Sequence, residues 1–293
     1  MSQNNNNIRL LEQSDIGVPR DDIGCKYHYT TIKALRGIVE SNTLWVSNAM
    51  FLNDKSEVRY AREIVEETIK ENQNIENEVI KVIENFMQQI IDNSEQIFVL
   101  STSNNKDSQL LWSDYSRSDG YCLGFDFSEV WDSLYIKSNK DAENEEIKNL
   151  NFKQNMRIDR VIYDKQEQME FIKRPLLKIN KFYKNNPEKD LKKFMHYFFH
   201  VLMMFKNPRF KQEEEFRIVF YIPDSKKYVN YYVANGILIP YIEVHFNKKI
   251  PLKYIKIGPR NNIDIAKASI ESFLRSKSFK EVEVTKSDIP LRF

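Results

Sequence analysis

Three consecutive carboxylates, Glu213, Glu214 and Glu215, stand at the start of an apolar segment with the composition of a β-strand. Because side chains alternate along a strand, the spacing predicts Glu213, Glu215 and Arg217 on one face and Glu214 on the other, together with Phe216. Glu213 and Glu215 then repel each other, and Arg217 relieves only one of them at close range. The segment is therefore either a solvated strand end with an Arg–Glu pair or an acid pair placed for chemistry.

A histidine and a threonine two residues apart occupy residues 26–30, which the pattern predicts to be a strand. His28 and Thr30 share one face of such a strand, where they offer a hydrogen-bond donor and an acceptor to a cleft. The alternative is a structural histidine whose ring is satisfied by hydrogen bonds.

Four polar residues surround the predicted start of a long charged helix at residues 54–72. Asp54 and Glu57 have the spacing of a capping box, in which the two side chains satisfy the first amide groups of the helix. Capping does not explain Asn53 or Arg59, which are therefore candidates for binding a ligand.

Ser101 lies at the end of a predicted strand at residues 96–102, and two aromatic residues follow on the next predicted helix, residues 108–117. The helical period places Trp112 and Tyr115 on one face of that helix. Aromatic residues in such positions either pack in the core or form a flat platform for a ligand.

Two further patterns favour structural interpretations. His196 and His200 are four residues apart, but the glutamate of a zinc-hydrolase motif is absent, so we expect a packed pair without metal. Residues 173–194 carry eight Lys or Arg against two acids, with Phe182 and Tyr183 between them. A solvated helical face explains this run, and contact with a nucleic-acid backbone is the alternative.

The composition is that of an ordinary globular protein of 293 residues, with 41% hydrophobic and 29% charged residues. No apolar run approaches the ~20 residues of a membrane span and the N-terminus lacks a signal-peptide core, so we predict a cytoplasmic protein without a membrane partner. The formal charge of +2 does not by itself indicate nucleic-acid binding, and the two cysteines, Cys25 and Cys122, cannot form a disulfide framework. Glycine-rich phosphate loops are absent, which disfavours Rossmann and P-loop chemistry.

The order of predicted elements indicates one α+β domain at residues 26–293, behind a polar extension at residues 1–25. A helical insertion covers about residues 165–206, a polar surface insertion covers residues 137–152, and strands dominate from residue 215 onward. We therefore expect a mixed or antiparallel sheet with helices inserted between its strands.

The ordered series of motifs is similar to a family of bacterial proteins catalogued as a domain of unknown function, DUF2971. Lys55 and Phe210 depart from the family pattern, which usually has Pro and Trp at these positions. The residues that carry the resemblance are His28-Tyr29-Thr30, Leu52-Asn53-Asp54 with Glu57, Leu100-Ser101, Trp112 with Tyr115, Gly120 with Cys122, Gly124 and Phe125, and Phe210 with Glu213, Glu215 and Arg217.

The opening H-x-T strand and the late E-x-E strand also resemble, more distantly, the ADP-ribosyltransferase superfamily. This resemblance implies a split sheet of the ADP-ribosyltransferase type, NAD as the consumed substrate and no metal ion. It also implies that His28 and Thr30 bind NAD, that aromatic residues such as Trp112 hold the nicotinamide, and that Glu215 stabilises the oxocarbenium-like ribose.

The same resemblance implies roles for the remaining candidates. Glu213 would orient the ribose or the acceptor, and Arg59 or Arg217 would meet the pyrophosphate of NAD. The other implied members of the NAD site are Asn53, Ser101 and Tyr115, the last as the candidate for the middle tyrosine of the superfamily.

The expected function is thus an NAD-consuming ADP-ribosyltransferase or NAD glycohydrolase, as a toxin or phage-defence effector with a nucleic-acid or protein acceptor. One alternative is a nucleic-acid processing or binding protein that holds a divalent cation between Asp54, Glu57, Glu213 and Glu215. The other alternative is a sensing module without catalysis.

Overall fold

Residues of alternating polarity assemble into one large open sheet with helices on both of its faces. The structure is a computed structural model that describes residues 24–52, 57–115, 120–128, 134–136, 156–187, 191, 198–199, 201–222, 225–234, 236–261 and 264–290. The strands are β1 Cys25–Thr31, β2 Thr43–Asn48, β3 Ile97–Ser103, β4 Gly120–Asp126, β5 Leu134–Ile136, β6 Met156–Arg160, β7 Glu215–Tyr221, β8 Val229–Ala234, β9 Ile237–Phe246, β10 Leu252–Ile257 and β11 Glu283–Lys286.

α-Helices connect these strands along the described part of the chain. Their ends differ by only a few residues from the predicted ones, and β5 is the strand that the sequence pattern did not predict. The helices are α1 Ile32–Ser41, α2 Glu57–Glu71, α3 Asn77–Asp92, α4 Gln109–Tyr115, α5 Lys165–Asn185 and α6 Ala266–Ser276.

The sheet is mixed, since β10 and β11 are parallel while the other named pairs are antiparallel. β7 pairs with β3 along its whole length, from Ile97 to Ser103. Both β1 and β2 must therefore lie on the other edge of β3. There β2 pairs with Phe98 and Val99, and β1 pairs with Ser103. The sheet forks at this edge, and the mixed α/β architecture with an open sheet agrees with the predicted fold class at this level of detail.

Each face of β3 and β7 packs against its own hydrophobic core. Leu100 and Ile218 point into a first core, which α1 and α6 cover. Val99 and Val219 point into a second core, which α2, α3 and α5 cover. This division decides which side chains of β3 and β7 can meet, because only residues on the same face share a core.

Helix α5 is part of the second core rather than a surface addition. Ile172, Leu176, Ile179 and Phe182 are buried there, following the helical period. The predicted helical insertion therefore packs against the sheet over Lys165–Asn185.

Several predicted features lie outside the described residues: the extension up to residue 23, the polar insertion at residues 137–152, and Asn53, Asp54, His196 and His200. In the part of the chain that is described, none of the helices is long and apolar enough to cross a membrane.

Candidate functional site

Five charged side chains from four segments converge on the second-core face of the sheet. We call these residues the charge cluster: Glu57 at the start of α2, Lys206, Glu213, and Glu215 and Arg217 on β7. Glu215 and Arg217 share this face because they are two residues apart on a strand. Three carboxylates thus meet two cations in a region that is nearly closed to solvent.

Arg217 is the central donor of the charge cluster and is only 1% exposed. Its Nε and Nη2 donate to the two carboxylate oxygens of Glu215, at 2.6 and 2.9 Å. Nη2 also donates to Glu57 Oε1 at 2.6 Å, and Nη1 donates to the carbonyl oxygen of Met203 at 2.9 Å. The fork geometry fixes Glu215 in one orientation.

Lys206 is the second cation, and its ammonium group connects all three carboxylates. Nζ donates to Glu213 Oε2 at 2.6 Å and to Glu215 Oε2 at 2.9 Å, and it lies 3.6 Å from Glu57 Oε1. The Phe210 ring lies against the same ammonium group, with 5.0 Å between Lys206 Nζ and the ring centre. Lys206 therefore holds Glu213 and Glu215 close together despite their like charge.

Glu213 lies in the charge cluster, but a 3₁₀ helix positions it there and not the predicted strand. It ends a 3₁₀ helix, Pro208–Glu213, and β7 begins only at Glu215 because Glu214 adopts a left-handed conformation with φ of 47°. The predicted strand alternation is therefore wrong at Glu213 and Glu214. Glu214 is exposed, and its carboxylate accepts a hydrogen bond from Asn105 instead of sharing a face with Phe216.

The charge cluster shifts the pKa values of its two central acids, Glu213 and Glu215, in opposite directions. Burial raises the pKa of Glu213, and the hydrogen bond and charge of Lys206 only partly oppose this effect. Burial alone would raise the pKa of Glu215 too, but the charge and hydrogen bonds of Arg217, helped by Lys206 and Ser101, hold it well below the usual range. At neutral pH, Glu215 is thus a fixed negative charge, while Glu213 titrates closer to neutrality.

Ser101 and Tyr163 complete the surroundings of Glu215. Ser101 is the cross-strand partner of Arg217, and its hydroxyl side chain helps to lower the pKa of Glu215. The Glu215 backbone amide donates to the Tyr163 hydroxyl at 3.0 Å. Of the predicted NAD-site residues, Ser101 and Arg217 are the ones that the structure brings to the acid pair.

His28 and Thr30 lie on the opposite face of the sheet from Ser101 and Glu215, so the predicted NAD-site residues do not all meet at the acid pair. The cross-strand partners of His28 and Thr30 are Leu123 and Tyr121, which belong to the first core. At the fork in the sheet, His28 Nδ1 lies 3.3 Å from the carbonyl oxygen of Ser101. Burial lowers the pKa of His28, which keeps the ring neutral and suits a structural role at the fork.

The other candidates are also distant from the acids or turned away from them. Trp112 is buried against Tyr29, with 4.7 Å between ring centres, so its ring has no open face for a nicotinamide. Tyr115 is exposed at the end of α4. Arg59 is exposed on α2, and residues two apart on a helix point to nearly opposite sides, so it faces away from the Glu57 direction.

Two members of the charge cluster were not assigned to the predicted NAD site. Lys206 lies in an apolar stretch that gave no catalytic signal, and Glu57 was explained as a helix cap. Glu57 instead binds Arg217, 160 residues away in sequence. A buried Arg217 in an apolar strand was the available signal, since a buried guanidinium requires acid partners.

A second polar centre surrounds Asp107, and we call it the Asp107 centre. Asp107 Oδ1 accepts hydrogen bonds from Trp112 Nε1 and Ser287 Oγ, both at 2.7 Å, and Oδ2 accepts one from Lys256 Nζ at 3.1 Å. Burial would raise the pKa of Asp107, but these three donors lower it overall. One carboxylate thus joins α4, β10 and the segment after β11.

An open groove of about 590 Å³ lies beside the Asp107 centre. Polar side chains without charge dominate its walls, with Asp107 at one side and Gln212, the neighbour of Glu213, at another. The lining residues are Asn105, Asp107, Ser108, Gln109, Leu110, Ser113, Gln212 and Ile289.

The charge cluster does not have the arrangement of a divalent-cation site. The ammonium of Lys206 and the guanidinium of Arg217 occupy the space between the carboxylates, where a metal ion would have to bind. Within the described ranges, no group of three or more His, Cys, Asp or Glu side chains is placed to hold a metal ion.

Comparison with known proteins gives one match. A family model described as a protein of unknown function, DUF2971, matches residues 111–218, from α4 to β7. The matched part contains Lys206, Glu213, Glu215 and Arg217, and it supports the resemblance to this family without assigning an activity. No curated protein and no solved structure matches the chain.

Proposed function

We propose that the protein consumes NAD, as an ADP-ribosyltransferase or NAD glycohydrolase, and that the charge cluster is its reactive centre. One observation carries this proposal: three carboxylates surround two cations, so the fully ionised cluster retains one negative charge in a region nearly closed to water. A fixed negative charge with little solvent around it stabilises a developing oxocarbenium ion. The more distant resemblance to ADP-ribosyltransferases supports the same chemistry.

The reaction breaks the bond between C1′ of the ribose and the nicotinamide nitrogen, and the electron pair of that bond leaves with nicotinamide. Positive charge then develops at C1′, where the fixed charge of Glu215 stabilises it. Water or an acceptor hydroxyl attacks C1′ and loses its proton to Glu213. The raised pKa of Glu213 suits this step, because a general base works best when its pKa approaches the working pH.

In this proposal Glu213, rather than Glu215, makes the direct contact with the ribose. Arg217, Lys206 and Ser101 already occupy both oxygens of Glu215. Lys206 binds Glu213 through Oε2, and in the described part of the chain no hydrogen bond to Oε1 is formed. Glu213 is therefore the acid that can accept a ribose hydroxyl or a water molecule without first breaking the cluster.

The polar groove offers a place for the rest of the dinucleotide. Its volume of about 590 Å³ lies within the range of ligand sites, roughly 300–1,000 Å³. The amides of Asn105, Gln109 and Gln212 supply donors and acceptors for ribose hydroxyls and for the edge of an adenine base. Gln212 connects this groove to Glu213 along the 3₁₀ helix.

The test is incubation of the purified chain with NAD labelled in the nicotinamide and the adenosine halves, with and without nucleic acid and cell lysate. We expect release of nicotinamide, and transfer of the adenosine label identifies the acceptor. Glu213→Gln should lower nicotinamide release by about 10²–10³ with the fold retained. The matched control is Glu214→Gln, an exposed neighbour, which should change the rate by no more than a few-fold.

Three outcomes would contradict the proposal. These are no release of nicotinamide under any of these conditions, equal rates for Glu213→Gln and Glu214→Gln, or loss of activity only when the variant unfolds. The first outcome would favour a sensing module. A cytoplasmic toxin or phage-defence role further requires that expression depletes cellular NAD and arrests growth, and that Glu213→Gln abolishes both effects.

One observation supports a role for nucleic acid. Arg174, Lys178 and Lys181 are exposed on α5 at spacings that form one basic stripe. Phe182 is buried in the second core, so the aromatic residues of this segment do not form a base-stacking surface. If the stripe contacts phosphates, binding should weaken steeply with salt, and charge reversal at Lys178 should reduce that salt dependence.

A further inference from the structure

A pair of buried charges on β6 lies beside the charge cluster without belonging to it. Arg157 and Asp159 are each 6% exposed, and they share one face because they are two residues apart on a strand. This is the second-core face, since the cross-strand partner of Arg157 is Val219. Arg157 Nη2 donates to Asp159 Oδ2 at 2.5 Å. The pair therefore adds a fourth carboxylate and a third cation to the face that holds the charge cluster.

Asp159 lies directly opposite Arg217. The two residues are cross-strand partners in the antiparallel pairing of β6 with β7, and the Cβ atoms of such partners lie about 4.5–5.5 Å apart. In the described part of the chain, no hydrogen bond joins them. The donors of Arg217 go instead to Glu215, Glu57 and the carbonyl oxygen of Met203. Arg217 thus has a third buried acid beside the two that it binds.

Two donors hold Asp159 in this position. Oδ2 accepts the hydrogen bond from Arg157, and Oδ1 accepts one from the backbone amide of Arg160 at 2.9 Å. The side chain of Arg160 lies on the other face of β6, where it binds Glu167. Arg157 is therefore the β6 side chain that brings positive charge to Asp159. Without it, Asp159 would compete with Glu215 for the guanidinium of Arg217.

Stability alone explains Arg157 poorly. Its Nε atom is buried and makes no hydrogen bond within the described residues, and an unsatisfied donor on a buried guanidinium costs free energy. A buried ion pair can often be replaced by apolar residues without a loss of stability. The position of Arg157 next to Asp159, and of Asp159 next to Arg217, points to an effect on the charge cluster.

We propose that Arg157 is a positioning residue for the charge cluster, which keeps Asp159 away from Arg217 so that Arg217 remains bound to Glu215. It also neutralises Asp159. With Arg157 this face has four carboxylates and three cations, and without it the excess of negative charge doubles. The inference extends the proposed function, which requires Glu215 as a fixed charge, but it does not depend on the substrate.

The charged groups that face Glu215 set the sign of the expected effect. Burial raises the pKa of Glu215, and Arg217 and Lys206 lower it overall. Loss of Arg157 weakens the contact with Arg217 and adds the unpaired charge of Asp159, and both changes raise the pKa. The other titratable groups around Glu215 in the described residues belong to α2, the 3₁₀ helix before β7 and the segment after β6, and they are Glu57, Glu213 and Tyr163.

The test is the titration of the Glu215 carboxyl group, followed by ¹³C NMR of protein labelled at glutamate, with Glu215→Gln to assign the signal. In the original protein we expect Glu215 to stay ionised until acid unfolding. In Arg157→Met its protonation should begin about one pH unit or more higher. Arg157→Lys retains the positive charge and should restore most of the original behaviour.

Two further variants separate this role from a general loss of packing. Arg160→Met is the matched control, because it removes a neighbouring arginine that is exposed on the other face, and it should leave the titration unchanged. Arg157→Met combined with Asp159→Asn removes the competing charge and should restore the original titration. An unchanged titration in Arg157→Met, or a double variant that stays shifted, would overturn the proposal.

Arg157→Gln replaces Arg157→Met if the latter does not fold, because it retains a donor for Asp159 while it removes the charge. The same two outcomes then decide, with a smaller expected shift. None of these measurements requires NAD. The inference can therefore fail while nicotinamide release is observed, and a chain that releases no nicotinamide can still show the shift.

Discussion

The charge cluster and the half-buried Asp107 centre are both built on acids, yet their charge balance differs. Asp107 faces one ammonium group and two neutral donors, so its single charge is matched. The charge cluster has three carboxylates and two cations, and one of its acids has a raised pKa. A matched centre connects segments of the fold, whereas an unmatched one keeps a net charge after its internal ion pairs have formed.

The two centres also differ in where their partners come from. Asp107 lies near one edge of the sheet, where its hydrogen bonds connect α4, β10 and the segment after β11. The charge cluster lies at the centre of the sheet, where β7 meets β3 and the second core. Disruption of the cluster should therefore affect both stability and turnover strongly, while disruption of the Asp107 centre should affect mainly stability, with a smaller effect on turnover through the groove that Asp107 lines.

Removal of Arg217 should have the largest effect on stability. Arg217→Ala leaves Glu57 and Glu215 buried without their main partner, and we expect a loss of about 3–5 kcal/mol in the free energy of unfolding. Urea unfolding of the variant measures this loss. Arg217→Lys is the control for charge alone, and a loss below about 1 kcal/mol in Arg217→Ala would show that the cluster is solvated rather than buried.

Removal of Asp107 should have a smaller effect on stability, and it should affect turnover only through the groove that Asp107 lines. Asp107→Ala leaves three donors without an acceptor, among them the ammonium of Lys256, so we expect a loss of about 2–3 kcal/mol. Asp107→Asn retains one acceptor oxygen and should lose less. Nicotinamide release per folded molecule should stay within a few-fold of the original, and a loss as large as that of Glu213→Gln would remove the functional distinction between the centres.

Gly258→Ala tests the packing beneath the Asp107 centre. A Cβ atom at this position would lie 2.9 Å from the Gly120 carbonyl oxygen and 3.1 Å from the Trp112 ring. A backbone atom cannot move aside cheaply, so we expect a loss of about 1–2 kcal/mol from overpacking. Thermal unfolding measures this loss. Gly37→Ala is the matched control, because open space surrounds Gly37, and an equal change in both variants would contradict the packing explanation.

The pH dependence of stability should show the smallest of these effects. The folded-state pKa of Glu213 is raised above its unfolded value, so the protein loses stability from this group as pH rises through the window between the two values. Glu213→Gln removes that loss. The melting temperature of the variant relative to the original should therefore increase from acidic to neutral pH, and a relative decrease would show that the pKa is lowered instead.

Glu215 supplies the opposite sign within the same cluster. Its folded-state pKa is depressed, so its contribution to stability is present above the unfolded value and is lost as pH falls through the folded one. Acid unfolding of the original protein and of Glu213→Gln should therefore both show this loss. Its absence from both profiles would mean that Arg217 does not hold Glu215 ionised.

Local pattern was enough to predict most of the helices and strands. Apolar residues recur at the helical period in α2, α3 and α5 and alternate or run continuously in β3, β7 and β9, and each pattern depends on residues close in sequence. β5 escaped prediction because three residues are too short for a pattern. The start of β7 at Glu215 was predicted, but the turn before it was missed because the left-handed Glu214 carries no glycine signal.

The sequence by itself determined most of the elements and placed Glu215 and Arg217 on one face of a strand, because these features depend on spacings of a few residues. Only the tertiary structure decided that Lys206 joins Glu213 to Glu215, that Glu57 binds Arg217, and that His28 faces the other core. These contacts depend on the pairing of β3 with β7 and on the packing of α2 against the sheet. Such contacts join residues far apart in the chain, so no local period can encode them, and the burial of charge that they produce exists only after the core has formed.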